Sequence, residues 1–232
     1  MFIFSTAICL YIFEQKSAHF VFASKTKLTY LGLSFLSIVA LLLTYSRSSY
    51  IALLVAGLII GTLKSPRILV AVTIFLLVSF ITIPQVKSRI TGAFKIDETS
   101  QARIISWKNA LTIFKYQPIF GVGFNNYRYA QAKYRLFLSP EQIELHSASG
   151  VDSSVLLVAA TTGIVGLALF LVLVGTIILS LANKIYTQPI SLISLSIFLS
   201  LLVHSQFVNS FFFPQISLLF WFIFGLSQVN ND

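Results

Sequence analysis

Two arginines have the chemistry needed to bind an anionic substrate. Arg47 lies in the polar segment Thr44–Ser49 at the end of an apolar run, and Arg103 lies one helical turn before Trp107. A guanidinium group stays charged, and its planar fork pairs with phosphate oxygens. The alternatives are an arginine that snorkels to lipid headgroups at the first position and an ordinary solvated basic face at the second.

Two further titratable residues precede a long apolar run. Asp152 lies just before this run, where its carboxylate could act as a general base because partial burial raises a carboxyl pKa. The alternative is that it caps the helix that follows. His146 titrates near neutral pH, although a single loop histidine is commonly structural. No cluster has metal-ligand spacing, so the sequence predicts no metal site. We expect no cofactor.

A third candidate region combines glycine, aromatic and basic residues. Gly121 and Gly123 allow a tight turn and a close approach to a ligand, but the pattern is a weak indicator of phosphate binding without a preceding strand. Basic and tyrosine residues then alternate, a combination that suits sugars and phosphates and equally suits a membrane interface. The candidate substrate-binding residues are Gly121, Gly123, Asn125, Tyr127, Arg128 and Arg135.

These residues must be positioned by membrane-spanning helices. The 232 residues are 56% hydrophobic and only 10% charged, against about 25% charged in soluble domains. Apolar runs close to the roughly 17–25 residues of a span predict an all-α polytopic transmembrane helical bundle of six to seven spans with a helical external loop. The runs are Phe2–Phe13 (short), Leu28–Tyr45, Tyr50–Leu63, Ile68–Ile83, Val155–Ala182, Ile190–Val203 and Phe211–Leu226.

Small residues four apart predict close helix packing at two places. Gly57 and Gly61 form one such pair, and Ala159 and Gly163 form the other. The alternative at the second place is that Gly163 and Gly166 mark a packing groove. We divide the chain into N-terminal helices (1–83), an external basic loop (84–152) and C-terminal helices (153–232). Because the first run is short, we expect the chain to be the C-terminal part of a longer membrane protein or a shortened gene product, with 1–83 an incomplete half.

Short-loop charges predict the orientation of the chain. If the spans alternate, the short basic loops all fall on one side, which is then cytoplasmic, and the long loop is external. Nine of the sixteen Lys and Arg lie in the long loop, which indicates an anionic partner such as lipid headgroups or a phosphorylated substrate, with nothing beyond charge to favour nucleic acid. The short-loop residues are Lys16, Lys25, Lys27, Lys64, Arg67 and Lys184.

The external loop contains helix signals. Thr99 or Ser100 can cap a helix that carries an apolar stripe and ends before Pro118. Ser139 followed by Pro140 is a second start signal. The stripe consists of Ile104, Trp107, Leu111 and Phe114.

Three local patterns, in this order, resemble the O-antigen ligase and O-antigen polymerase (Wzy_C-like) family of bacterial membrane glycosyltransferases. The resemblance covers about Leu28 to Leu181. The patterns are Ser46-Arg47-Ser48; Arg103, Ser106-Trp107, Pro118 and Gly121-Val122-Gly123-Phe124-Asn125; and a polar helix start that leads to Thr162-Gly163-Ile164-Val165-Gly166-Leu167.

The resemblance implies an active site on the outer face of the bacterial cytoplasmic membrane. It implies transfer of a glycan from a polyprenyl-pyrophosphate donor to an acceptor hydroxyl on a glycan or lipid, without a nucleotide sugar or an obligatory metal. Arg47 and Arg103 would bind the pyrophosphate. The family pattern has a histidine eleven residues before Gly163; this chain has Asp152 there, with His146 six residues earlier. Either Asp152 replaces the histidine as base, or His146 reaches in from the loop, or transfer is lost; we favour Asp152.

Three other functions compete with this O-antigen ligase-like glycosyltransferase. The first is a surface polysaccharide polymerase of the same family, and the second is a non-enzymatic polysaccharide transporter or flippase subunit. Transporters place ionisable residues near the bilayer midplane, whereas here they cluster at the outer face, which favours surface chemistry. The third is a truncated, inactive relative.

Overall fold

A computed structural model describes residues 24–64, 66–92, 98–136 and 150–229. Within these ranges the chain is helical and has no strand, which confirms the all-α class. The predicted first run, the Ser139 helix start and His146 lie outside the described residues. The helices are α1 (Ser24–Leu43), α2 (Arg47–Leu63), α3 (Pro66–Thr82), α4 (Pro84–Thr91), α5 (Glu98–Tyr116), α6 (Tyr127–Lys133), α7 (Ser154–Ala182), α8 (Pro189–His204) and α9 (Pro214–Gln228), with a 3₁₀ turn at Ser210–Phe212.

One helix of the described chain, α7, is long and apolar enough to cross a membrane by itself. Helices α3 and α4 meet the same criterion together but are bent by 100° at their junction, so the described residues support one span, or two if this bent pair is counted. Helices α2 and α8 are apolar but shorter. The larger number of six to seven spans stays a prediction.

Pro84 has a different role from the one the sequence indicated. It ends α3 as predicted, but it also occupies the start of α4, a helix that the sequence analysis missed. Proline is compatible with the first helical turn because its missing N–H would be unpaired there. The residue that stops one helix therefore starts the next.

The chain forms two compact units. The first contains the described residues of 1–95, 181–204 and 218–232. In it, α2 packs against α3 and α8. A Cβ atom on Gly57 would lie 3.2 Å from Val72, and one on Gly61 would lie 2.5 Å from Leu69, so the predicted close packing at this glycine pair is confirmed.

Helix α8 is buried along almost its whole length and is rich in serine. The hydroxyls of Ser194, Ser196 and Ser200 donate to the carbonyl oxygens four residues earlier, at 2.7–2.8 Å. This bonding satisfies the polar groups inside an apolar helix. The small side chains allow neighbouring helices to approach closely.

The second unit contains the described residues of 96–180 and 205–217. Helix α5 confirms the predicted loop helix, but it begins at Glu98, so the predicted cap at Thr99 or Ser100 is wrong. Of the predicted stripe, Leu111 is 46% exposed; the buried face is centred on Ala110 and Ile113. The core of this unit comprises Ala110, Ile113, Tyr127, Ala130, Val151, Leu157 and Ala160.

Helix α7 is interrupted at Gly163, whose backbone angles (φ 66°, ψ −163°) are not helical. Such a break frees carbonyl groups before it and N–H groups after it, and these are costly to leave unpaired in an apolar segment. The loop between α5 and α6 pairs with the freed carbonyls. The N–H groups of Val122 and Gly123 donate to the carbonyl oxygens of Ala160 (3.1 Å) and Thr161 (2.8 Å).

The same loop pairs with the N–H groups beyond the break. Ile164 N donates to the carbonyl oxygen of Pro118 at 2.7 Å, and Val165 N donates to that of Ile119 at 3.3 Å. Four backbone hydrogen bonds thus replace helical bonds lost at the break. We call this arrangement the loop–helix junction (residues 118–123 with 160–165).

Two glycines make the junction possible. Gly121 and Gly163 both have φ near +66°, where other residues are strained. A Cβ atom on Gly121 would lie 2.5 Å from Thr162 N, and one on Gly163 would lie 2.6 Å from Phe120 N. The predicted helix packing at Gly163 is therefore wrong, because this glycine breaks its helix to admit a loop.

Candidate functional site

The start of α7 separates the two interpretations of Asp152. The N–H of Leu156 is bonded to the hydroxyl of Ser153 at 3.3 Å, the pattern of a helix cap. Ser153 therefore performs the capping that the sequence also allowed for Asp152. Among the described residues, the half-buried carboxyl group of Asp152 caps no helix, and the bonds that Asp152 makes there come from its backbone.

The backbone of Asp152 is held by α5. Its N–H donates to the hydroxyl oxygen of Ser106 at 3.1 Å, and its carbonyl oxygen accepts a bond from Trp107 Nε1 at 3.1 Å. Ser106 and Trp107 belong to the second of the sequence patterns above. These two bonds hold the backbone of Asp152 in place and so fix the position from which its side chain extends.

Burial sets the electrostatics of this carboxyl group. Removal from water raises the pKa of Asp152, and the positive charge of Arg103, which acts on it electrostatically, opposes this shift. The raised pKa brings the carboxyl group closer to the range in which a general base works. The structure thus brings together two of the predicted site residues, Asp152 and Arg103.

Tyr127 lies in the core, with its side chain 1% exposed. Its hydroxyl is buried without a hydrogen-bond partner among the described residues. Burial raises the pKa of Tyr127, and the negative charge of Asp152 raises it further, so the hydroxyl stays protonated. A side chain this deeply buried does not offer its ring to a sugar from the surface, contrary to the sequence-based expectation.

Replacing Tyr127 with phenylalanine is expected to raise thermal stability. The change removes an unpaired buried hydroxyl and keeps the ring, which should stabilise the fold by about 1 kcal/mol. Thermal unfolding of the purified protein in detergent measures this change. A lower unfolding temperature would show that the hydroxyl makes a stabilising bond, for example through a buried water.

A polar segment between α8 and α9 also contacts the start of α7. Ser154 N donates to the carbonyl oxygen of Ser205 at 2.8 Å, and the Ser154 hydroxyl donates to Asn209 Oδ1 at 3.0 Å. The Ser153 hydroxyl donates to Gln206 Oε1 at 3.3 Å. The sequence showed Gln206 and Asn209 only as polar interruptions of an apolar hairpin, and it gave no sign of this contact.

Arg47 belongs to the first unit, where it begins α2 directly after Ser46. Its side chain is half-buried, and its guanidinium lies close to Gly92 at the end of α4, 3.3 Å from where a Cβ atom would stand. Its proposed contact with pyrophosphate stays a prediction, as does any role of His146.

Helix α6 separates the alternating tyrosines onto different faces. Tyr127 and Ala130, three residues apart, are buried, whereas Tyr129 is 70% exposed. Asn125 is exposed, Arg128 is half-buried and Arg135 is exposed. Arg135 has φ 53° and ends α6 in the left-handed conformation, a position usually occupied by glycine.

The two glycines proposed to bind substrate have a visible structural use. The N–H groups of Val122 and Gly123 are already bonded to α7, and Gly121 fits against Thr161 and Thr162. These N–H groups are not available to cradle a phosphate. Among the described residues, no three His, Cys, Asp or Glu side chains cluster as metal ligands would.

The fold and site describe a helical protein with a polar, charged site at the start of an apolar helix. That helix is interrupted at Gly163, where the loop between α5 and α6 supplies the missing backbone hydrogen bonds. The family model of the O-antigen ligases matches residues 32–171, which is 140 of the 232 residues. The chain therefore belongs to the O-antigen ligase family, which is membrane-associated in bacteria. No curated protein matches the chain.

Family membership confirms the resemblance inferred from the sequence. It indicates an O-antigen ligase or polymerase type of membrane glycosyltransferase. The matched region includes Arg47, Arg103 and Asp152, and it contains the whole loop–helix junction. Two patterns that carry the resemblance, Gly121-Val122-Gly123 and Thr162-Gly163-Ile164, lie in the two segments of that junction.

Proposed function

We propose that the protein transfers a saccharide from a polyprenyl-pyrophosphate carrier to an acceptor hydroxyl at the outer face of the cytoplasmic membrane. The observation that carries this proposal is the half-buried carboxyl group of Asp152, which is released from helix capping by Ser153 and lies in the field of Arg103. Such a transfer releases a proton from the acceptor hydroxyl and builds negative charge on the departing phosphate. A base and a cation close together can meet both needs.

The chemistry assigns one role to each group. The acceptor oxygen bonds to the anomeric carbon, and its proton passes to the Asp152 carboxylate. The bond from the anomeric carbon to pyrophosphate breaks, and its electron pair leaves with the phosphate oxygen. Arg103 stabilises the charge that accumulates there, an interaction that a low dielectric strengthens.

The proposed orientation places the segment 84–152 outside the membrane. Its excess of basic residues suits the diphosphate and the anionic headgroups around it. The lipid tail of the donor stays in the bilayer while the sugar reaches the start of α7. Neither a metal nor a nucleotide sugar has a part in this proposal.

Replacing Arg103 with alanine tests the proposal. Loss of one charged donor that stabilises the transition state is expected to slow transfer by about a hundredfold or more. Membranes that carry the variant receive lipid-linked glycan extracted from the same cells, and loss of glycan from the lipid fraction measures the rate.

The matched control for this test is Lys108→Ala. Lys108 is exposed on the same helix, and its removal deletes one positive charge without touching Asp152. We expect the control to keep the wild-type rate. Equal rates in the two variants would remove Arg103 from the mechanism.

Ligase and polymerase activities differ in their products. Gel analysis of the surface polysaccharide in a deletion strain separates them. Polymer that is made but not attached indicates a ligase, whereas loss of long chains indicates a polymerase.

A further inference from the structure

A cleft of about 470 Å³ lies beside the loop–helix junction in the second unit. It is formed by the end of α5, the junction loop and α6. None of its walls contains Asp152 or Arg103. The lining side chains used below are Gln117, Asn126, Tyr129, Lys133 and Tyr134.

The lining has the composition of a carbohydrate site. The Tyr129 ring is 70% exposed and can stack against the apolar face of a sugar. Asn126 Nδ2 donates to the carbonyl oxygen of Val122 at 2.9 Å, which fixes the amide and leaves its oxygen as an acceptor. The amide of Gln117 and the ammonium of Lys133 add hydrogen-bond donors.

Aromatic packing makes one wall rigid. The Tyr134 ring stacks on Tyr116 with centroids 4.3 Å apart and planes at 8°. Lys133 Nζ lies 5.7 Å from the Tyr134 centroid. A wall that is ordered before binding loses little entropy when a ligand arrives.

The neighbouring residues indicate how a ligand would be presented. Ile119 (57% exposed) and Phe120 (76% exposed) belong to the junction loop and project apolar surface next to the cleft. The carbonyl oxygen of Ile119 accepts a hydrogen bond from Val165 N, and Phe120 N lies close to Gly163. Both contacts are at the break in α7, an apolar helix of membrane-spanning length. The cleft therefore lies beside a loop that carries exposed apolar side chains and is hydrogen-bonded to the apolar helix α7.

We infer that this cleft is a saccharide-binding subsite that holds one or two pyranose units of a substrate glycan, with Tyr129 as its stacking platform. The inference rests on the proposed function only for the source of the glycan, which is either the donor or the acceptor. Both sources offer the same chemistry of hydroxyl groups and ring faces.

The test measures binding without turnover. Asp152→Asn protein in lipid nanodiscs is mixed with oligosaccharide released by mild acid from the polyprenyl-linked pool of the same cells, or with oligosaccharide from the acceptor fraction. Saturation-transfer NMR gives the affinity for each. The double variant Asp152→Asn/Tyr129→Ala should bind one of the two oligosaccharides about fivefold or more weakly, because it loses one aromatic contact. Tyr129→Phe should retain the affinity.

The matched control is Tyr186→Ala, because Tyr186 is 84% exposed and belongs to the first unit. Asp152→Asn protein that also carries Tyr186→Ala should bind both oligosaccharides as tightly as Asp152→Asn protein does. Unchanged affinity for both oligosaccharides in Tyr129→Ala would overturn the inference and leave Tyr129 as a membrane-interface residue. Failure of the proposed function has a separate signature: wild-type transfer by Asp152→Asn, whatever the binding result.

Discussion

Replacing Gly163 with alanine is expected to destabilise the protein by about 3 kcal/mol or more and to abolish transfer. The φ and ψ of Gly163 fall in a region that is open almost only to glycine, where other residues pay of the order of 1–3 kcal/mol. An added Cβ would also collide with the backbone of Ile119 and Phe120. Relieving that collision requires the loop to move and its hydrogen bonds to α7 to break.

The same helix offers a matched control at Gly175. A Cβ atom there would meet nothing within 4 Å, and its backbone is helical. Alanine has the higher helix propensity, so Gly175→Ala should leave stability unchanged or slightly raised. Thermal unfolding in detergent compares the two variants. Equal unfolding temperatures would contradict the account of the junction.

Replacing Asp152 with asparagine is expected to slow transfer by about 10²–10⁴-fold, the usual contribution of a general base. Burial raises the pKa of Asp152, so the folded protein binds more protons than the unfolded chain between the two pKa values. Its contribution to stability therefore decreases as pH rises through that window. Asparagine resembles the neutral acid, so the variant should be somewhat more stable than the wild type at neutral pH.

Ser153→Ala provides the contrasting result. Loss of the helix cap should lower stability by about 1 kcal/mol while the proton acceptor stays in place. Transfer per folded molecule should then stay close to wild type. If Ser153→Ala lost transfer as fully as Asp152→Asn, both losses would be explained by damage to the start of α7. Asp152 would then have no separate role as proton acceptor.

Apolar runs predicted most of the helices, because a helix that is buried in lipid or protein needs a run of apolar side chains. The beginning of α4 was missed because Pro84 was interpreted only as a stop signal. The break in α7 was missed for a different reason. Hydropathy does not detect the backbone angles of Gly163, and the loop that repairs the break lies about 40 residues earlier in the sequence.

The candidate site was predicted in part. Asp152 was indicated by its place at the start of an apolar run and by the family pattern counted back from Gly163. Spacing on one helix indicated Arg103 and Trp107. The capping role of Ser153 could not be separated from that of Asp152 by sequence, because both residues can cap a helix. The opposite faces of Tyr127 and Tyr129 follow from the turn of α6, a short helix that the sequence analysis did not predict.

The pH dependence of transfer tests the central claim, that the side chain at position 152 accepts the proton. The rates of wild type, Asp152→Asn and Asp152→His are measured in membranes from acid to neutral pH. We expect wild-type transfer to fall as pH drops through the raised pKa of Asp152, and the asparagine variant to stay slow, without that acid limb, at every pH. Histidine should restore transfer with an acid limb set by its own pKa, normally about 6.5. Transfer by Asp152→Asn at the wild-type rate, or one acid limb shared by the aspartate and histidine proteins, would contradict the claim.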